Sequence, residues 1–395
     1  MRFSSIFTGA ALLISTAVAQ PVLAQSCGGG FNSFVNGLKR EARNSGHDRA
    51  TVDQFFANVS QDQATLRADR SQGVFQKDFL EFSQRLISQN RIDNGRRNAQ
   101  RYDAVFDQME REYGVSRGVL LAFWAFETDF GAVQGDFNTV NSLVTLAHDC
   151  RRPELFRPQI FAALELYERG DLDPQRTKGA WAGEIGMVQM LPEDIISNGI
   201  DGDGDGRVTL KTSAPDALLS GANMLRSLGW RAGEPWLQEI SVPSDLDWAK
   251  TGLDHASSVR EWKRMGIRAR EGNLGAGNLQ ASVLLPMGRN GPAFLAYPNF
   301  HVYFEWNKSF VYVTTAAYFA NRLEGAGRYN PGNPSPALSG NQMEALQRAL
   351  QNRGHDVGGV DGILGAKTRA AIQAEQIRLG LPADAWPTMD LLNRL

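Results

Sequence analysis

The chain has 395 residues, 42% of them hydrophobic, which is enough for a sizeable core and two or three domains. Lys+Arg 41 against Asp+Glu 43 leaves a formal net charge of -2, so no general attraction to nucleic acid or to an anionic membrane surface is expected. Met1-Arg2-Phe3 leads into the short apolar run Ala10-Ala11-Leu12-Leu13-Ile14, a secretory signal pattern with cleavage after Ala24. That run is well short of the roughly 20 residues a membrane-spanning helix needs. Gln25 and Ser26 ahead of Cys27 do not form a lipidation signal, so no lipid anchor is expected and the mature protein is placed in the periplasm. Cys27 and Cys150 are the only cysteines, and an isolated pair in an oxidising export compartment is expected to bridge.

Residues 31 to 115 read as charged supporting helices, with apolar residues at helical spacing in Phe75, Phe79, Phe82 and Leu86, then in Tyr102, Phe106 and Met109. The stretch Ser116 to Gly131 differs from them. Every residue from Val119 to Phe126 is apolar, so the helix is expected to be buried all round, capped by Ser116 at its start and Gly131 at its end. Glu127 interrupts that run at the C-terminal end, where desolvation and the negative end of the helix dipole both disfavour the anion. A carboxyl kept protonated near neutral pH is the group that protonates the leaving oxygen of a glycosidic bond.

Helical patterns resume over Asn141 to Ala147 and Phe156 to Tyr167, the latter stopping near Gly170. In Lys178 to Pro192, Gly179, Gly183 and Gly186 break up an apolar segment and allow close approach of backbone to a ligand. Gln189 there presents an amide that both donates and accepts, as an N-acetyl sugar requires.

Asp201 to Gly206, D-G-D-G-D-G, places oxygen ligands at loop positions 1, 3 and 5 and a glycine at position 6, the start of an EF-hand calcium loop. Asp201, Asp203 and Asp205 are the candidate ligands, with the Arg207 carbonyl at position 7. Thr212 stands where the loop's bidentate Glu belongs, which leaves Asp216 as the remaining carboxylate. Calcium is the one cofactor expected, in a structural role, and no organic cofactor is.

Residues 213 to 330 carry Trp230, Trp236, Trp248 and Trp262 among amphipathic segments, and few stretches alternate strictly like strands. A mostly α core follows. Asn299 to Asn321 closes the large domain, with Trp306, Asn307 and Tyr312 offering stacking and hydrogen-bonding groups to a sugar. A Pro/Asn/Gly linker spans 330–337, and 338–395 read as a short helical module around the turn-rich G-H-D-V-G-G-V-D-G-I-L-G. The five histidines show no H-E-x-x-H or paired spacing, which argues against a zinc amidase or peptidase. Asp129 lies two positions from Glu127, roughly 200° round a continuing helix and poorly placed as its partner. Glu184 remains a candidate second carboxylate.

Five stretches in order resemble the B-type lytic murein transglycosylases: F-E-T-D-F-G (126–131), K-G-A-W-A-G-E-I-G-M-V-Q-M-L-P (178–192), D-G-D-G-D-G (201–206), S-L-G-W (227–230) and E-W-N-K-S (305–309). The resemblance implies a lysozyme-like catalytic domain over 27–329 with Glu127 as sole acid/base. It further implies Gln189 and Asn307 in the sugar groove, and calcium held by Asp201, Asp203, Asp205, the Arg207 carbonyl and Asp216. The chain departs from the family pattern at Ala180, where some members have Ser, at Trp306, where some have Tyr, and in a loop to Asp216 about one residue longer. L-Q-R-A-L-Q (346–351), G-G-V-D-G-I-L-G (358–365) and T-R-A-A-I-Q (368–373) resemble the helical peptidoglycan-binding domain, a three-helix module. The expected protein is then mainly α, a monomer acting on peptidoglycan strands as a polysaccharide lyase that leaves 1,6-anhydro-MurNAc ends. A goose-type lysozyme-like hydrolase, with Glu184 positioning water, and a non-catalytic wall-binding protein are the alternatives.

Overall fold

The computed structural model describes residues 27–71 and 77–395; the signal segment 1–24 and Phe75 lie outside the described residues. Six helices, Phe31–Asn44, Arg49–Phe55, Gln63–Asp69, Phe79–Leu86, Gln89–Arg101 and Asp103–Tyr113, fill the charged N-terminal third. Most begin where a short polar side chain can take an otherwise unpaired N–H: Asp48 accepts from Thr51 N, Asp78 from Glu81 N and Ser88 from Arg91 N.

The last two of these helices, Gln89–Arg101 and Asp103–Tyr113, pack on Arg117–Thr128, whose residues Val119 to Ala125 are all buried, as a helix apolar on every face must be. Phe310–Leu323 packs along it, and Ala214–Ser227 also touches it. Both expected ends of this helix differ in detail. Ser116 holds the N-cap position with extended backbone, but its hydroxyl goes to the Glu324 carboxylate instead of the helix amides. At the other end the left-handed turn falls on Asp129 (φ 51°) and Phe130 (φ 60°), ahead of Gly131. Arg91 stabilises that turn by donating Nε to Asp129 Oδ1 at 2.9 Å and Nη1 to Leu86 O at 3.0 Å. A tertiary contact thus moves the stop two residues upstream of the glycine.

Thr139–His148 and Pro153–Arg169 form where their periodicity places them, the second ending at Gly170 with φ 84°. A disulfide joins Cys27 to Cys150, tying the N-terminal helix to the start of Pro153–Arg169.

Between Ser227 and Pro298 the chain builds a five-stranded antiparallel sheet that the amphipathic reading of 213–330 did not anticipate. Its spatial order is Ala256–Ser258, Gln280–Leu284, Phe294–Ala296, Leu237–Ser241, Arg268–Ala269. Strands of two to five residues are too short to show alternation in sequence. The sheet has its own small core around Trp262, Val259, Ile267, Val283 and Leu295. Trp262 Nε1 donates to Ala281 O, Trp236 Nε1 to Ala317 O and Trp230 Nε1 to Gly114 O, so these tryptophans are core residues with satisfied donors.

The C-terminal segment folds as the three helices Gly340–Asn352, Ala366–Arg378 and Met389–Arg394 around Met343, Leu346, Leu350 and Ile372. Ser339 and Gln342 form a reciprocal capping box at its start. Fully buried Gln347 holds the turn-rich loop, donating to Asp361 Oδ1 and Ile363 O and accepting from Asp361 N and Gly362 N. Among the described residues no helix is long and apolar enough to cross a membrane.

Candidate active site

Glu127 sits in the last turn of Arg117–Thr128 with its side chain half-buried. Two residues more than 170 positions later in the chain reach its Oε1: Trp306 donates Nε1 at 3.1 Å and Tyr312 donates its hydroxyl at 2.5 Å. Trp306 ends helix Pro298–Trp306, and Tyr312 lies in the first turn of Phe310–Leu323. The bend between them is fixed locally. Asn307 Oδ1 accepts from Ser309 N at 2.9 Å, and the Ser309 hydroxyl caps Tyr312 N. Trp306 also stacks on Phe123 at 4.3 Å with 19° between the rings. The polar atoms of Trp306 and Tyr312, expected from sequence to face a sugar, therefore point at the acid.

Burial pushes the Glu127 carboxyl up from 4.5 to about 7; the Tyr312 and Trp306 hydrogen bonds pull it down, and the nearby Glu184 charge pushes it up again. Burial, with Glu127 beside it, holds the Tyr312 hydroxyl well above its ordinary range, so it remains a donor at any working pH. With both donors on Oε1, the proton of the neutral acid belongs on Oε2.

Thr128, which carried no signal in the sequence, connects this helix end to the glycine-rich segment. Its hydroxyl donates to Met187 O at 2.6 Å and accepts from Gly131 N at 2.9 Å. Gly186 in that segment has φ 83°, and a Cβ there would meet Leu210 backbone and side chain at 2.5–2.6 Å, so no other residue fits. Gln189 is itself left-handed (φ 55°) and donates Nε2 to Gly186 O at 2.7 Å. Glu184 lies in the same segment. Burial raises its pKa, while backbone N–H groups of Glu184 and Ala182 and the charge of Arg152 oppose that rise. Asp129 turns away from Glu127 to pair with Arg91.

The structure brings Asp201, Asp203 and Asp205 together, exposed, with one carboxylate oxygen from each within 4.8 Å of the others. Asp216 does not join them. It is buried beneath the loop, where Oδ1 accepts from Gly202 N, Asp203 N and the Ser213 hydroxyl and Oδ2 from Thr209 N. It fixes the shape of the loop from inside. An all-oxygen, all-carboxylate donor set fits a hard divalent cation such as calcium.

A helical body that seats a buried carboxyl of raised pKa at the end of its central helix is the lysozyme-like arrangement of glycan-cleaving proteins. The chain belongs to the transglycosylase SLT domain family, which it matches over residues 30–321, and residues 339–395 match the putative peptidoglycan binding domain. It is similar to SltB3 from Pseudomonas aeruginosa, solved in complex with NAG-anhNAM-pentapeptide: 36% identity, 93% of this chain, 99% of that one and a TM-score of 0.85. The same protein with NAG-NAM-pentapeptide matches equally, over all of that chain. Membrane-bound lytic murein transglycosylase B of Escherichia coli (strain K12) is 25% identical over 235 residues, 58% of this chain; the match spans 63% of that protein's length. The E. coli lytic transglycosylase SLT35 in complex with calcium, 23% identical with TM-score 0.65 over 76% of this chain and 96% of that one, bears on the fold alone.

Proposed function

We propose that the protein is a lytic transglycosylase that cleaves the MurNAc-GlcNAc β-1,4 bond of peptidoglycan without water. The observation that carries this reading is the Glu127 carboxyl, held near a pKa of about 7 with its free oxygen opposite both hydrogen-bond donors. Glu127 Oε2 gives its proton to the glycosidic oxygen as the C1–O4 bond breaks. The oxocarbenium-like centre is stabilised by the substrate's own N-acetyl group. Glu127, now a carboxylate, takes the proton of the 6-hydroxyl as the C1–O6 bond forms, so the acid is regenerated and the product is a 1,6-anhydro sugar. A pKa near the operating pH suits one group to both steps.

A hydrolase needs a second carboxylate to position water. Glu184 is the candidate, and it lies near enough for its charge to act on Glu127, but one oxygen of its carboxyl is buried without a hydrogen-bond partner among the described residues and nothing there orients it as a base. The 36%-identical SltB3, solved with an anhydro-muramyl ligand, also supports the transglycosylase reading. Gln189, with its Oε1 left over from the bond to Gly186, and Asn307 serve as sugar contacts in this scheme. Trp306 and Tyr312 contribute by holding the acid. Asp201, Asp203 and Asp205, with the Arg207 carbonyl, hold a calcium ion that binds the loop into one shape. Export to the periplasm agrees with the Cys27–Cys150 disulfide, which an oxidising compartment preserves. The domains run 27–329 and 338–395.

Digestion of glycan strands in oxygen-18 water followed by mass analysis tests the reading. Every new end is expected to be 1,6-anhydro-MurNAc without label. Labelled reducing MurNAc overturns it in favour of a hydrolase, with Glu184 the next residue to substitute, and no cleavage at all favours a wall-binding protein.

A further inference from the structure

The linker at 330–337 suggests a wall-binding module on a loose tether, but the structure has it docked. Asn333 N donates to Asn290 O at 2.7 Å, and Trp386 Nε1 of the module donates to Ser335 O at 3.0 Å, so the linker is held along its length. Gln373 Nε2 reaches Thr251 O at 2.8 Å and Trp248 O at 3.1 Å. Asp384 accepts from Arg289 N and Nη1. Module side chains thus satisfy backbone groups of the catalytic body, which fixes orientation as well as proximity.

Arg369 makes the most direct of these contacts. Its Nη2 donates to Pro286 O at 2.6 Å and its Nη1 to Leu285 O at 3.3 Å, while its guanidinium lies 4.4 Å from the Phe310 ring centroid. Phe310 is the first residue of the helix that carries Tyr312, and its ring also meets Phe304, two residues before Trp306. The module therefore presses on the bend between the two donors to Glu127. Helix first turns fray unless something covers them, and a displacement of about 1 Å at a catalytic group can cost on the order of 100-fold in rate.

We propose that Arg369, in the peptidoglycan-binding module, is a positioning residue for catalysis: by clamping Phe310 it fixes Tyr312 and Trp306 on Glu127. The inference rests on the transglycosylase reading and adds a route by which wall binding and bond cleavage are coupled. A glycan or peptide that shifts the docked module also shifts the acid's hydrogen bonds.

The test uses the full chain and soluble glycan strands, so that wall binding does not enter. Arg369→Met keeps the aliphatic stem but removes both hydrogen bonds and the cation–π contact. It is expected to lower kcat about 10-fold with KM within about twofold of wild type and with binding to sacculi retained. Lys367→Ala, on the exposed face of the same helix, is expected to leave kcat unchanged. In a Tyr312→Phe background, Arg369→Met is expected to cost clearly less than it does in the wild-type background, since one of the two hydrogen bonds through which it acts is already gone. Wild-type kcat for Arg369→Met, or an undiminished loss in the Tyr312→Phe background, overturns the proposal. Where Arg369→Met lowers the folded fraction, Phe310→Leu reads the same contact from the other side, and wild-type kcat per folded molecule there overturns it too. Failure of wild type itself to form anhydro ends is a failure of the transglycosylase reading, seen before any variant is compared.

Discussion

Tyr312 donates its hydroxyl to the same oxygen of Glu127 that Trp306 Nε1 reaches, at 2.5 Å against 3.1 Å. A hydrogen bond to a carboxylate favours the ionised form, so this pair opposes the effect of burial. Removing it with Tyr312→Phe raises the Glu127 pKa further. A hydrogen bond to a charged group contributes about 1.5–3 kcal/mol, so the shift is about one to two pH units. The high-pH limb of the kcat profile is expected to move up by that amount while the maximal rate falls about 10- to 100-fold through lost orientation. An unmoved limb would show that the Tyr312 hydroxyl does not tune the acid.

Glu127→Gln keeps the shape but cannot cycle a proton, so turnover is expected to vanish while glycan binding survives. The same substitution predicts a stability change with a definite sign. The folded carboxyl titrates at about 7 against an ordinary 4.5, so between those values the native state holds a proton that the unfolded chain has lost. Wild type therefore loses stability as pH rises from 4.5 through 7. Glu127→Gln escapes that loss. Discounted for the solvent that reaches this half-buried side chain, the variant is expected to exceed wild type by about 1–2 kcal/mol at pH 8 and to equal it at pH 4. Denaturant melts at the two pH values check this, and parallel curves would refute it.

Three carboxylates converging within 4.8 Å repel one another unless a cation lies between them. Millimolar calcium is expected to raise Tm by several degrees, chelator to reverse the rise, and Asp205→Asn to reduce it, because a ligand that binds only the native state stabilises it. An identical Tm in calcium and in chelator would exclude the site.

The Cys27–Cys150 bridge spans a sequence separation of 123 residues, and a loop of that length predicts about 2–5 kcal/mol of stability. Thiol labelling of denatured, unreduced protein from the export compartment is expected to find neither cysteine, and reduction to lower the unfolding midpoint. Quantitative labelling of both would contradict the bridge.

What the sequence determined by itself is what adjacent residues can encode. The apolar run to Phe126 required a buried helix and made Glu127 the residue with a disfavoured charge. The 3.6-residue period marked Phe156 to Tyr167, and D-G-D-G-D-G marked its own loop. Tertiary structure alone decided what depends on chain closure. Trp306 and Tyr312 stood out as polar aromatics, but only folding across separations of 179 and 185 residues aimed them at one oxygen of Glu127. Arg91 moved the helix stop from Gly131 to Asp129, and Asp216 was drawn beneath the loop by backbone amides that a sequence pattern does not locate. The five-stranded sheet stayed hidden for the same reason. Strands of two to five residues carry too little periodicity to be read, and their stability comes from neighbours distant in the chain.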